Sequence, residues 1–327
     1  MKVILNRSLA LALAVVLAVC TVFALSGCNK APESTQAASE AATQAEVAET
    51  TAATADEAVQ FTSDPKYTYE LDSIHQVKGR QGICVEGDYY WVSGSTTLTK
   101  YDKDWNVVAE NTEPFKGYDL EVNHIGDIDV YQNELYLGVE MFLDGVGSNI
   151  QVAVYDGDTL ELKRVFPFKS DTGQLECSGI AVDPDSGTVY MSSWIDGESS
   201  YYLYMYDLAT GDYKGKLKMS PEPKWIQGVA YCDGALYVTC DDGDADKDEP
   251  DNMYRLEING DNAAVVREHA FTEVTKQGEI EGLSFDRKNN RFLLVYNRGA
   301  RIIKGMPSGF YDGYTEEIHE ALVFNYK

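Results

Sequence analysis

The chain has 327 residues, with 53 Asp and Glu against 27 Lys and Arg, for a formal charge of −26. That balance excludes nucleic acid as a partner, because binding it needs cations set against phosphate, and it argues against close adhesion of the folded part to anionic lipid. It fits solubility first, and a cationic ligand or a metal ion second.

At the N-terminus Lys2 and Arg7 precede an apolar run over residues 9–22. This is the layout of a secretory signal, too short and too near its cleavage site to be read as a membrane span. The run leads into Leu25-Ser26-Gly27-Cys28, which resembles the bacterial lipobox Leu-x-Gly-Cys. The resemblance implies cleavage before Cys28, a lipid of the palmitate kind on that cysteine, and a mature protein tethered to the outer side of a bacterial plasma membrane. Losing 1–27 removes Lys2 and Arg7, so the charge moves from −26 to −28. Residues 28–60 are rich in Ala, Glu, Thr and Ser and lack aromatics until the folded part begins. They read as a flexible acidic linker. The expected organisation is therefore signal 1–27, linker 28–60 and one folded domain 61–327.

Within that domain one short pattern recurs five times. It reads Gln81-Gly82-Ile83-Cys84-Val85, Gly126-Asp127-Ile128-Asp129-Val130, Ser178-Gly179-Ile180-Ala181-Val182, Gln227-Gly228-Val229-Ala230-Tyr231 and Glu281-Gly282-Leu283-Ser284-Phe285. The second position falls at 82, 127, 179, 228 and 282, giving steps of 45, 52, 49 and 54 residues. Each copy continues through a tight turn such as Asp233-Gly234 into a second strand, then into a second hairpin such as 205–211. Four strands repeating at this period predict an all-β fold, a β-propeller of five four-stranded blades. A six-bladed ring is the alternative. The last repeat is one strand short, with strands at 280–285, 291–297 and 320–326. Residues 67–71 form an orphan strand before the first repeat, and we expect it to complete the last blade and close the ring.

The stretch 281–298, Glu-Gly-Leu-Ser-Phe-Asp-Arg-Lys-Asn-Asn-Arg-Phe-Leu-Leu-Val-Tyr-Asn-Arg, resembles the repeat of SdiA-regulated and phytase-like propellers. The Tyr-Asp-x-x-Thr-Gly ending of the third repeat's second hairpin resembles the YVTN-type propellers. The resemblance spans most of 79–327. It implies the fold, and any single activity only weakly. Gluconolactonase-type propellers hold a divalent metal in the channel with a Glu and Asn or Asp residues. Glu281 matches the Glu-Gly motif of that group, whereas its partner residues and the basic residues a phytate-like substrate needs are not evident.

Strand alternation puts the start of each innermost strand on the same face as the loop between the second and third strands. The long loops, 141–149, 195–200, 241–252 and 299–319, are all of that kind. The expected mouth carries Gln81, Ser178, Gln227 and Glu281 from the ring. Glu140, Trp194, Asp241 and Arg298 come from second-strand ends, and His124 and Trp225 from connections. Acids, an arginine and two tryptophans suit a small polar or sugar-like ligand.

The loop at 241–251 places Asp241, Asp242, Asp244 and Asp246 at spacings that suit calcium. Lys247 stands where a calcium loop has its turn glycine, and Met253 where its closing acid belongs, so an EF-hand is not expected. Cys84, Cys177, Cys232 and Cys240 lack metal spacing and read as small apolar fillers. In the register set by Asp233-Gly234, Cys232 faces Ala235 and lies too far from Cys240 to bond with it.

No Gly-x-Ser-x-Gly, His-Glu-x-x-His or phosphate loop occurs. The expectation is a surface-anchored binding propeller for a small polar ligand or a protein partner, leaning away from an enzyme. One alternative is a metal-dependent hydrolase, of lactonase or phosphoesterase type, using Glu281, Asp241 and Glu140 around calcium. Another is a structural protein of a cell-envelope complex.

Overall fold

Tight turns break the chain into short hairpins. At Asp233 and Gly234 both residues have positive φ (48° and 81°), the geometry whose twist matches the flanking strands. Cys232 pairs with Ala235 across that turn, the register read from the sequence. The structure is a computed structural model that describes residues 60–272, 274, 278–303 and 306–327. The expected signal, Cys28 and nearly all of the linker lie outside the described residues.

A first strand, β1 (Tyr69–Gln76), precedes the repeats. Unit I is β2 (Ile83–Glu86), β3 (Tyr89–Gly94), β4 (Thr97–Asp102) and β5 (Val107–Asn111). Unit II is β6 (His124–Tyr131), β7 (Glu134–Leu143), β8 (Val146–Asp156) and β9 (Leu162–Val165). Unit III is β10 (Ile180–Asp183), β11 (Thr188–Met191), β12 (Tyr202–Asp207) and β13 (Tyr213–Ser220). Unit IV is β14 (Ile226–Cys232), β15 (Ala235–Cys240), β16 (Asn252–Asn259) and β17 (Asn262–Ala270). Unit V contains β18 (Gly278–Asp286) and β19 (Arg291–Arg298), a protruding hairpin β20 (Ala300–Ile303) and β21 (Met306–Phe310), and β22 (Ile318–Tyr326).

Within each unit the strands pair antiparallel in chain order. The innermost strands pack successively, β2 on β6, β6 on β10, β10 on β14 and β14 on β18, and β18 packs back on β2. That return contact closes the ring. As expected, β1 is the missing outer strand, pairing antiparallel with β22 from Tyr69↔Tyr326 to Gln76↔Glu320. The outer strands of units III and IV also join, β13 running parallel to β17.

The segment before β1 ties units IV and V together. Glu268 on β17, 2% exposed, accepts hydrogen bonds from the Lys66 and Tyr67 amides, the Tyr69 hydroxyl and Arg255 Nε, all at 3.0–3.1 Å. Apolar clusters fill the wedges between units. One of them packs Phe271, Phe292 and Phe324 against Tyr237 and Leu322. The four cysteines described are buried free thiols within these clusters and the inner strands.

The repeated glycine follows from crowding on the axis. A Cβ at Gly82 would lie 2.4 Å from Asp127 Oδ1, and one at Gly282 would lie 2.3 Å from it. One at Gly228 would lie 2.6 Å from Gly282 Cα. Asp127 is the single non-glycine at this position, and its carboxylate takes the space the glycines leave. Oδ1 accepts the Ile128 N–H (2.8 Å) and Oδ2 the Val229 N–H (3.1 Å). Burial drives its pKa well up despite these bonds. The axis is thus plugged in the middle, leaving an upper mouth where the innermost strands begin and a lower mouth where they end.

Candidate functional site at the upper mouth

Irregular pairing in the inner strands turns the first two positions of the repeat toward the axis. Register shifts lie between Ile125 and Ile128, between Ile226 and Gly228 and between Ile280 and Leu283, and such bulges re-aim side chains. All four long loops connect second to third strands, so they gather on this face. The first of them is an extension of the β7–β8 hairpin, and that at 299–319 contains the β20–β21 hairpin.

At the centre stands Arg80, immediately before the first repeat. Its Nη2 lies 2.7 Å from Glu279 Oε2 and 3.6 Å from Glu281 Oε1, and its Nε lies 3.6 Å from Glu317. Burial opposes the guanidinium charge, but Glu281, Glu279 and Glu317 outweigh it and raise its pKa. Asn297 Nδ2 donates to Glu281 Oε1 (2.8 Å) and to the Arg80 carbonyl (3.0 Å). Gln227 Nε2 donates to Glu279 Oε1 (3.0 Å). Glu279 and Glu281 are both buried. Burial first, and then its neighbour's charge, pushes Glu281 well above the usual carboxyl range, and Glu279 is also raised, mainly by burial. One Arg cannot neutralise both, so the pair retains a proton readily.

Units II and III form a second group. His124 Nδ1 lies 3.0 Å from Glu140 Oε1, and burial lowers the histidine's pKa. Burial raises Glu140 to about 8. It also raises Glu176 well above its usual value, with the Glu140 charge adding to the effect. Glu176 accepts the Trp194 amide at 2.6 Å, and Ser178 pairs with Ser192 through their hydroxyls at 3.0 Å. Gln174 donates to the Glu176 and Ser192 carbonyls.

Of the expected mouth residues, the structure brings Glu281, Gln227, Glu140, His124, Ser178 and Trp194 into this network. Gln81 lies beside it, its carbonyl accepting the Gly282 amide. Trp225 lies at the rim under Lys224, and its carbonyl accepts the Asp241 amide. Arg298, at the end of β19, pairs with Glu320 (Nε–Oε2 2.9 Å) and Tyr314, while its neighbour Asn297 donates to Glu281. The reading from sequence missed Arg80, Glu176, Glu279, Asn297 and Asp127. Asp127 alone carried a signal, as the one break in the row of glycines.

Three of the acids expected to hold calcium go to different partners. Asp242 accepts from the Asn252 amide and side chain and from the Tyr254 hydroxyl. Asp244 caps the short turn Ala245–Lys247 and pairs with Lys247, and Asp246 pairs with Arg301. Among the described residues no group of three or more His, Cys, Asp or Glu side chains is placed to hold a metal ion.

Several buried polar atoms of the network have no hydrogen-bond partner: Asn297 Oδ1, Gln174 Oε1 and Trp194 Nε1. A buried polar group left unpaired costs about 1–3 kcal/mol.

No family model and no curated protein matches the chain. Among solved structures it is similar to a gluconolactonase from Xanthomonas campestris, with TM-score 0.42 and 12% identity over 72% of this chain and 68% of that one. It is also similar to a chain of a nidogen/laminin complex, with TM-score 0.41 and 11% identity over 63% and 67%. A third similar structure is the computationally designed protein Ika8, with TM-score 0.35 and 10% identity over 75% and 70%. The antiparallel units and the closed circuit of innermost strands described above make this an all-β protein of the β-propeller kind.

Proposed function

We propose that this protein is a lipid-anchored, extracytoplasmic binding propeller that takes a small polar ligand at its upper mouth. The observation that supports this is the set of unpaired buried polar atoms, Asn297 Oδ1, Gln174 Oε1 and Trp194 Nε1, within a network to which all five units contribute. The mixture of acceptors and one donor suits a ligand that both donates and accepts, such as a polyol or an amine.

A thermal-shift screen of the full chain against polyols, amines and divalent cations tests the reading. A native-state binder raises the melting temperature in proportion to RT ln(1 + [L]/Kd). Trp194→Phe, which keeps a ring and deletes the indole N–H, should weaken the shift. Silence across the panel would favour a cell-envelope protein as the partner. Lipid anchoring at Cys28 is tested separately, by incorporation of labelled palmitate that Cys28→Ala abolishes.

A further inference from the structure

The opposite end of the channel is also hollow. A concavity of about 430 Å3 lies below the Asp127 plug, and every unit lines it, through Val85, Asp129, Val182, Ala230 and Phe285 among others. It faces away from the acid network of the upper mouth. Its floor holds Asp129, two residues further along β6 than Asp127. Oδ1 of Asp129 accepts the Val130 amide at 2.7 Å and Oδ2 the Val182 amide at 2.8 Å. A carboxylate has about four acceptor positions, so two backbone bonds leave acceptor capacity toward the hollow.

The wall carries both signs of charge in different states of commitment. Glu86 is spent on the amides of Gln132 and Asn133, and Asp286 on the turn at Asn289. Arg287 and Lys288 are exposed on the rim. Arg287 Nη1 comes no nearer to Asp233 than 3.8 Å, and the Arg287 charge acts on Asp129. Tyr131, Tyr231 and Phe285 complete the wall. Two adjacent exposed cations thus stand beside a hollow whose floor carries a half-buried acid.

We infer that the lower mouth is a second binding site, for a small zwitterion whose ammonium meets Asp129 and whose anionic group meets Arg287 and Lys288. An α- or ω-amino acid is the simplest member of the class. Charge-assisted hydrogen bonds to the carboxylate fix the ammonium, aromatic faces beside it add cation–π attraction, and the flexible rim cations accept some variation in ligand length.

Calorimetric titration of the full chain tests this with four probes: L-alanine, γ-aminobutyrate, n-butylamine and butyrate. At least one zwitterion should bind, and both single-charge probes should bind at least about tenfold more weakly, since each forgoes one ion pair. Arg287→Ala with Lys288→Ala, a pair of surface changes, should weaken the zwitterion about tenfold while leaving the melting temperature within a few degrees. Asp129→Asn should abolish binding, and circular dichroism would report whether that variant folds. Equal binding of butylamine and the zwitterions, an unchanged affinity in the rim double variant, or no binding by either zwitterion would overturn the inference.

Discussion

Asp127 and the glycines around it offer a sharp test of how the ring is held at its axis. Asp127→Ala removes the acceptor for the Ile128 and Val229 amides. Each buried amide left unpaired costs about 1–3 kcal/mol, so the variant should lose about 3 kcal/mol after partial relaxation. Gly282→Ala does the opposite, placing a methyl 2.3 Å from Asp127 Oδ1 and 2.7 Å from Gly82 Cα. Overpacking of this kind costs about 1–3 kcal/mol, and the upper end applies because one neighbour is backbone. Deleting the carboxylate removes the first clash but leaves the second. The double variant should therefore be more stable than the sum of the singles by about 1 kcal/mol or more. Urea unfolding followed by tryptophan fluorescence measures all four corners of the cycle. Additivity within about 0.5 kcal/mol, or an Asp127→Ala variant as stable as the parent, would refute the plug.

The remaining expectations concern closure and pH. Glu268→Ala should cost about 3 kcal/mol, because it leaves the Lys66 and Tyr67 amides without their acceptor while Arg255 keeps Glu257 and Asp64; a loss under about 1 kcal/mol in urea unfolding would show that the segment does not clamp the ring. Val323→Pro sits in β22 between Ser73 of β1 and Leu293 of β19, and should cost about 3 kcal/mol or more by removing a ladder donor in a central strand. Arg80→Ala leaves Glu279 and Glu281 without their cation, so its destabilisation should grow between pH 5 and pH 8 as those carboxyls are forced to ionise. In the parent protein, burial raises the folded pKa of Glu140 to about 8, Asp251 to about 8 and Asp129 to about 7. The folded state then binds more protons than the unfolded one above about pH 4, so stability should fall as pH rises from there to about 8. Glu134, held down to about 2 by Arg164 and Lys163, works the other way, its contribution disappearing below about pH 4. A urea midpoint that rises steadily from pH 5 to pH 8 would contradict this balance.

How much could be seen in advance depends on the range of the interactions. The five short motifs, the Asp-Gly turn and the orphan strand at 67–71 are local signals. They were enough to predict the all-β ring, its closure by β1 and the face on which the long loops gather. Glu140, Gln227 and Glu281 could be placed at the mouth because they occupy fixed offsets in the repeat. Asn297, next to Arg298, was not singled out, since a strand sends neighbouring side chains to opposite sides and its contact with Glu281 is set by the pairing of β19 with β18.

Repetition, spacing and turn chemistry act over a few residues, so the architecture of this protein could be read from the chain alone. Folding had to decide that Asp127 fills the space four glycines vacate, that Arg80 sits over Glu279 and Glu281, and that the acids at 242, 244 and 246 go to separate partners. Those outcomes depend on atoms brought within a few ångströms from positions up to some 200 residues apart, and closeness of that kind leaves no local trace in the order of the residues.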